Sequence, residues 1–344
     1  MSFTIKDVAR ISGVSTSTVS LVISGKGYIS ESTRKKVQKV IDEYNYRPLR
    51  SARQLAANRT GNIGFIISDV HLSRSEAFYS RILLGAELEA RNYDAYILLS
   101  TVPGDMTMPD DIPRFLKGRD VDGVIIAGSV SKLLINHIYN EKIPSVLIDY
   151  SIPGFDIDSV FMDNRQGIKL VVEHLVSQNI SRIGFVGGSF YHPSIKERFE
   201  GFQVAMEKLG YGNISRNKKY HFIVDEETTA SIGSQGAEKL VKTVKDIQAI
   251  ICVNDTTASG CIQKLHSLNK KVPDDILVTG FDDVNYAALT NPSLSSVHVP
   301  KIEMGMGAMK MLMDRIENPE RINQTQIVPV RLIKRTSSII PSSE

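Results

Sequence analysis

The side chains in this sequence best suited to chemistry are carboxylates, one amide and one arginine that close apolar, strand-like runs. Asp69 follows NIGFIIS (62–68), Asp149 sits near the end of SVLIDY (145–150), and Asn254 ends AIICVN (249–254) with Asp255 next. Asp282 and Asp283 follow ILVTGF (276–281), and Arg198 lies within SIKERFEGF, a stretch with helical spacing. Carboxylates and an amide accept hydrogen bonds where a guanidinium donates them in a fork. Such a set offers charge-assisted, multi-point contacts to hydroxyl groups, as sugar recognition requires. Phe78, Tyr79, Phe190, Tyr191 and Phe281 are available as apolar walls, while the absence of Trp removes the largest stacking platform. Asp255 is as well placed to cap a helix as to bind a ligand, and Asp283 to close a turn. Catalytic patterns are missing. GFVGG (184–188) follows a strand-like run as a nucleotide-binding turn does, but GxGxxG, GxxxxGK[ST] and GxSxG do not occur, and the seven histidines show no metal spacing. The expectation is a binding protein with no catalytic residue, no metal and no cofactor.

The elements that must hold these residues alternate. Besides the runs already quoted, AYILLS (95–100), DGVIIAG (122–128), SVFMD (159–163), RIGFVGG (182–188) and HFIV (221–224) read as strands. Helical periodicity marks Phe78–Arg91, Arg165–Gln178, Pro193–Leu209, Asp255–Leu268 and Lys301–Ile316. Strands alternating with helices predict an α/β fold with parallel sheets covered on both faces. DGVIIAG, a helix and KIPSVLIDY resemble QAIICVN, a helix and KVPDDILVTGFDD, so the sequence suggests two similar halves. Ligands of such sheets bind at the carboxyl ends of the strands, which is where the polar set lies.

Residues Thr4 to Ile23 are of another kind. Thr4 with Asp7 forms a capping-box pattern, Ile5, Val8 and Ala9 share one face, and Gly13 is suited to a left-handed helix end. Ser15 can cap a second helix whose Val19, Val22 and Ile23 repeat the apolar spacing, leaving Thr16, Ser17, Ser20 and Leu21 outside. Small hydroxyl side chains at the start of an exposed helix suit entry into the major groove of DNA. A third helix is expected from Glu31 to Tyr44, capped by Ser30, with Val37, Val40, Ile41 and Tyr44 closing the core; Pro48 stops it.

Charge separates the same two regions. Residues 1–59 carry 11 Lys and Arg against 4 Asp and Glu, whereas the remaining 285 carry 30 against 34. A basic helical segment on a mildly acidic body is the electrostatic footprint of a nucleic-acid module. LRSARQLAANRTG (49–61) has helical tendency but little apolar surface to bury, so it is expected to be loose without a partner. A chain of 344 residues, 42% hydrophobic and 23% charged, is read as a multidomain globular protein. No apolar run approaches a bilayer span and MSFTIKDVAR lacks a signal-peptide core, so a cytoplasmic, nucleoid-associated protein without membrane contact is expected. Cys252 and Cys261 are expected to be buried thiols.

KDVARISGVSTSTVSLVISGKGYISESTRKKVQKVIDEYNYRP, continued by ARQLA, resembles the headpiece of the lac repressor and galactose repressor family of bacterial transcription regulators, and the likeness covers nearly all 344 residues. The resemblance implies a helix-turn-helix headpiece (1–47), a hinge (48–60) and a two-lobed body like periplasmic sugar-binding proteins. Lobe one would comprise 61–161 and 291–323, lobe two 162–290 and 324–336, with chain crossings near 160–163, 288–292 and 322–325 and a flexible tail at 337–344. It implies an allosteric repressor, dimeric because TSSIIPSSE has no heptad pattern, that binds a pseudo-palindromic double-stranded operator through Thr4, Ser15, Thr16, Ser17, Ser20, Leu21, Ser30, Arg34 and Arg53. Leu55 on a hinge helix would wedge into the minor groove. A small effector, a sugar or sugar derivative, would meet Asp69, Phe78, Asp149, Arg198, Asn254 and Asp282; a purine is the alternative within the family, and a cytosolic ligand-binding or enzymatic α/β protein the alternative outside it. Three departures stand out. Leu21 replaces the polar recognition residue frequent in relatives and can touch a thymine methyl but not pair with guanine. Leu49 stands where Asn is common, and SDVHLSRSEAFYS differs from the family's usual loop.

Overall fold

The computed structural model describes residues 3–24, 27–46, 59–69, 76–104, 106–226 and 228–340. The chain divides into two compact units, Met1–Gly61 and Asn62–Glu344. Arg53 and Leu55 of the expected hinge lie outside the described residues.

The first unit is helical: α1 (Ile5–Ser12), α2 (Thr16–Ser24) and α3 (Glu31–Glu43). The Thr4 backbone N–H and hydroxyl both donate to Asp7 Oδ2, at 3.0 and 2.7 Å, and Gly13 ends α1 at φ 67°. Ser15 and Ser30 accept from the amides of Thr18 and Thr33, satisfying donors that have no partner inside the helix. Val8, Ala9, Val19, Val22, Val37, Val40 and Tyr46 form the core. Tyr46, rather than the expected Tyr44, closes it. Tyr44 is half exposed and stacks on Phe3 with ring centroids 4.7 Å apart, because Asn45 takes a left-handed φ of 46° and turns the next side chain inward.

The second unit contains two six-stranded sheets of matching order. In the first, β1 (Asn62–Ser68), β2 (Tyr96–Val102), β3 (Gly123–Ala127), β4 (Ser145–Ile148), β5 (Asp158–Met162) and β11 (Thr325–Val328) run parallel in the order β11-β5-β4-β3-β1-β2. In the second, β6 (Ile183–Gly187), β7 (His221–Ile223), β8 (Ala249–Cys252), β9 (Leu277–Asp282), β10 (Ser295–His298) and β12 (Arg331–Ile333) follow the order β12-β10-β9-β8-β6-β7. Only β12 is antiparallel there. Helices α4 (Glu76–Ala90), α5 (Lys132–Asn140), α6 (Asn164–Val176), α7 (Pro193–Lys208), α8 (Ala230–Thr243), α9 (Asp255–Ser267) and α10 (Lys301–Glu317) cover them. The internal similarity read from the sequence corresponds to β3-α5-β4 and β8-α9-β9, the third and fourth strands of each sheet.

Two expected crossings move. The run at 295–298 joins the second sheet before the chain returns as α10 to the first, and 325–335 is split between β11 in the first sheet and β12 in the second. Helix α10 packs on α4 so closely that a Cβ on Gly305 would lie 2.0 Å from the Ile82 carbonyl oxygen. That contact commits α10 to the first lobe, and β11 follows it. The expected flexible tail is also corrected at its start. Ser337 and Ser338 are fully buried: Ser337 Oγ donates to the Val278 carbonyl at 2.7 Å, and Ser338 reaches Ser295 Oγ at 2.7 Å and His174 Nε2 at 2.9 Å.

Candidate DNA-binding and effector sites

On α2 the polar face is open. Thr16, Ser17 and Leu21 are exposed and Ser20 is partly so, while Val19 and Val22 are buried on the opposite side. Thr4, Ser15, Ser30 and Arg34 are exposed around it. Helix and cap together present hydroxyls and one apolar Leu21 tip from a rigid three-helix support, an arrangement that fits the major groove.

The second site is assembled where the two sheets' strands end. Asp149, just after β4, is buried, holds a left-handed φ of 58° and is shared by both lobes. The Tyr79 hydroxyl on α4 donates to its Oδ2 at 3.2 Å, and the Ser194 hydroxyl on α7 donates to Oδ1. His192 Nε2 stands 3.7 Å from the same carboxylate. Nearby, the Tyr150 and Tyr191 hydroxyls meet at 3.5 Å, again across the lobes. Burial, then the Asp149 charge, pushes the Tyr79 hydroxyl well above the usual phenol range, so it stays a donor.

Arg198 is buried and firmly anchored. Its Nε donates to Asn164 Oδ1 at 2.8 Å, its Nη1 to the Val253 carbonyl at 2.7 Å, and its guanidinium lies 3.7 Å from the centre of the Phe281 ring. Only Nη2 faces Asp282, at 3.4 Å, a long contact that leaves this edge the least committed part of the fork. Asp282 is the meeting point of opposing effects. Burial raises its pKa to about 6 although Arg198 and Lys301 pull it down. Lys301 Nζ, itself 5.8 Å from the Phe78 ring centre, donates to the Asp282 backbone carbonyl.

The structure thus brings Phe78, Asp149, Arg198 and Asp282 into one polar junction with buried walls. Asp69 lies outside this buried group, exposed directly after β1. Asn254 is committed to the fold: its Oδ1 caps α9 by accepting from the Thr257 amide at 2.9 Å, and its Nδ2 donates to Thr228 Oγ1 at 2.8 Å. The cap therefore belongs to Asn254, not Asp255. Asp255 is wholly buried and ties the end of β9 to β10 by accepting from the Val284 amide at 2.8 Å and Ser296 Oγ at 2.5 Å. Burial, then neighbouring Asp282, raises it to about 8. Asp283 pairs with Arg335 at 2.7 Å and His298 at 2.8 Å. Sequence reasoning missed Ser194, His192 and Asn164. Ser194 had a legible signal, being four residues before Arg198 and so on the same helical face.

Residues 4–48 match the family described as bacterial regulatory proteins, lacI family, and residues 172–338 match a periplasmic binding protein-like domain. The chain is 30% identical over 322 residues to the HTH-type transcriptional repressor PurR of Vibrio vulnificus, covering 92% of this chain and 93% of that one. It is 27% identical over 334 residues to the ribose operon repressor of Haemophilus influenzae, covering 97% and 98%. The crystal structure of the lac repressor dimer bound to operator and the anti-inducer ONPF has the same fold, at TM-score 0.77 and 24% identity, covering 98% of this chain and 100% of that one. The chain belongs to the LacI family: it is a DNA-binding transcriptional repressor controlled through a small-molecule site, and not an enzyme. Among the described residues no helix is long and apolar enough to cross a membrane.

Proposed function

We propose that this repressor responds to a polyhydroxylated small molecule, a sugar or sugar derivative, held between the lobes by Asp149, Arg198 and Asp282 against Phe78 and Tyr79. The observation that carries the reading is Asp149, whose carboxylate is bonded from one lobe by Tyr79 and from the other by Ser194. Ligand hydroxyls entering there exchange for these contacts and change how the lobes meet, which is the differential binding an allosteric effector needs. The anchored Arg198 turns its Nη2 edge to the ligand while Asp282 accepts from it. The relative known as the ribose operon repressor supports a sugar. A purine is the second reading, because the Arg198–Asp282 donor and acceptor pair also matches a purine edge and Phe78 and Tyr79 supply aromatic walls.

The repressor acts, in the same proposal, as a homodimer on a pseudo-palindromic operator. Thr16, Ser17, Ser20 and Leu21 read bases, Thr4, Ser15, Ser30, Arg34 and Arg53 meet the backbone, and Leu55 enters the minor groove. Thermal unfolding of the full chain with panels of sugars, sugar phosphates and purines identifies the class, since a ligand of the folded state raises the melting temperature. A sugar that stabilises the protein and shifts its operator affinity is the expected result. Stabilisation by purines alone replaces the first reading with the second, and no response to either class rejects both. Footprinting that shows one asymmetric half-site rejects the dimer on a palindrome.

A further inference from the structure

A cavity of about 620 Å³ opens at the foot of the first lobe, beside the amino ends of β3 and β4. Its position is opposite to the strand ends that carry the effector site, and none of its lining residues has a part in the readings above. The volume lies in the range of small-molecule sites. Phe115, Leu116, Val121, Ile143 and Pro144 give it an apolar floor, and Lys117, Arg119 and Lys142 bring three cations to its rim.

Three features single it out. His137 lines the cavity, and its Nε2, buried behind that lining, has no hydrogen-bond partner, although a buried imidazole nitrogen is ordinarily paired. Lys142 makes no ion pair among the described residues, whereas Lys117 Nζ is held by the Asp110 carbonyl at 3.0 Å and Arg119 Nη2 stands 3.5 Å from Glu141. Arg119 and Lys142 also occupy left-handed positions, at φ 54° and 52°. At the other helix ends with this conformation the chain places residues that tolerate it, namely Asn45, Asp94, Asn179 and Asn269. The two long cations are therefore conformationally costly choices, and both lie at this cavity. Its rim is fixed as well: Asn62 Nδ2 donates to the Asp120 carbonyl at 2.9 Å and the Asp122 amide donates to the Asn62 carbonyl at 2.8 Å.

We propose that this cavity is a second ligand site, separate from the effector site, for a small organic carboxylate with an apolar body. The apolar part rests on Phe115, Ile143 and Pro144. The carboxylate accepts from Lys142, with Arg119 turning from Glu141 to complete the pair. Opposing Asp122 and Glu141 leave a modest excess of positive charge, suited to a single negative charge rather than to a polyanion.

The test is ligand-observed fluorine NMR on the full chain with 4-fluorobenzoate, against neutral 4-fluorobenzyl alcohol. Saturable binding of the acid is expected, with the alcohol much weaker. The double variant Arg119→Ala/Lys142→Ala should bind the acid about tenfold less tightly. Both side chains are exposed, so the variant should unfold at the wild-type temperature and bind operator normally. Equal affinity in the double variant, equal binding of acid and alcohol, or no saturable binding of the acid overturns the proposal. Failure of the sugar reading leaves these outcomes unaltered.

Discussion

The two recognition regions of this repressor are built on opposite terms. In the N-terminal unit the reading face comes from consecutive residues of α2, is exposed, and is supported by a separate core of Val8, Val19, Val37 and their neighbours. The side chains proposed to read bases and the side chains of the core are different ones. At the proposed effector site Asp149 follows β4, Ser194 and Arg198 share α7, and Asp282 ends β9; all are buried or nearly so and bond in pairs, Ser194 to Asp149 and Arg198 to Asp282. There, in the proposed reading, the same groups recognise and hold. The first site can change specificity one residue at a time at little structural cost, whereas the second can change only with its surroundings.

The largest expected effect sharpens this contrast on the DNA side. Raising salt from about 50 to about 200 mM should weaken operator binding on the order of a thousandfold, because the basic unit displaces counterions from the operator phosphates. Fluorescence anisotropy measures it, and salt-insensitive binding would break the assignment of that unit to phosphate contact. Next in size is Arg198→Ala. It removes the counter-charge of Asp282 and leaves Asn164 and the Val253 carbonyl without their donor, so urea unfolding should show a loss of roughly 3–5 kcal/mol. Ser17→Ala on α2 should stay within about 0.5 kcal/mol of wild type. An Arg198→Ala protein of wild-type stability would show that recognition and folding are separable at this site after all.

A smaller effect tests the helical unit alone. Ser15→Ala removes the cap of α2 and should cost about 1 kcal/mol of that unit's stability, seen as a lower first transition in calorimetry, with the body's transition in place. Movement of both transitions together would contradict the independence argued from their separate cores. The smallest effect concerns pH. Burial, then the Lys334 charge, holds His174 below the usual imidazole range, with its Nε2 at Ser338. A depressed folded value means that the native state excludes a proton the unfolded chain takes up. The stability this group supplies is therefore present above about pH 6.5 and is lost as pH falls from there through the folded value. His174→Gln should flatten that part of the body's profile; residues 1–61 contain no histidine, so their transition should show no such step.

Most of what depends on neighbours within about four residues along the chain was legible before the structure, the Asn254 cap and the left-handed Asn45 being exceptions. The Thr4–Asp7 box, the Gly13 stop, the Ser15 and Ser30 caps and the bounds of α6, α7, α9 and α10 all follow from local periodicity and capping, which act within one or two turns. So did the alternation of strands and helices and the pairing of β3-α5-β4 with β8-α9-β9. The tertiary structure alone decided what depends on distant partners. Short apolar runs at 295–298 and 325–328 carry no mark of which sheet they join, and the Gly305 contact with α4 settled it. Tyr46 displaced Tyr44 from the core through a single left-handed residue, and a serine-rich tail became a buried latch because His174, Val278 and Ser295 offered it partners. Around Arg198 the sequence supplied the facing Asp282 but not the bonds to Asn164 and the Val253 carbonyl that anchor the guanidinium. A side chain's type is written in the chain, whereas the partners that already occupy its hydrogen bonds are set only by packing.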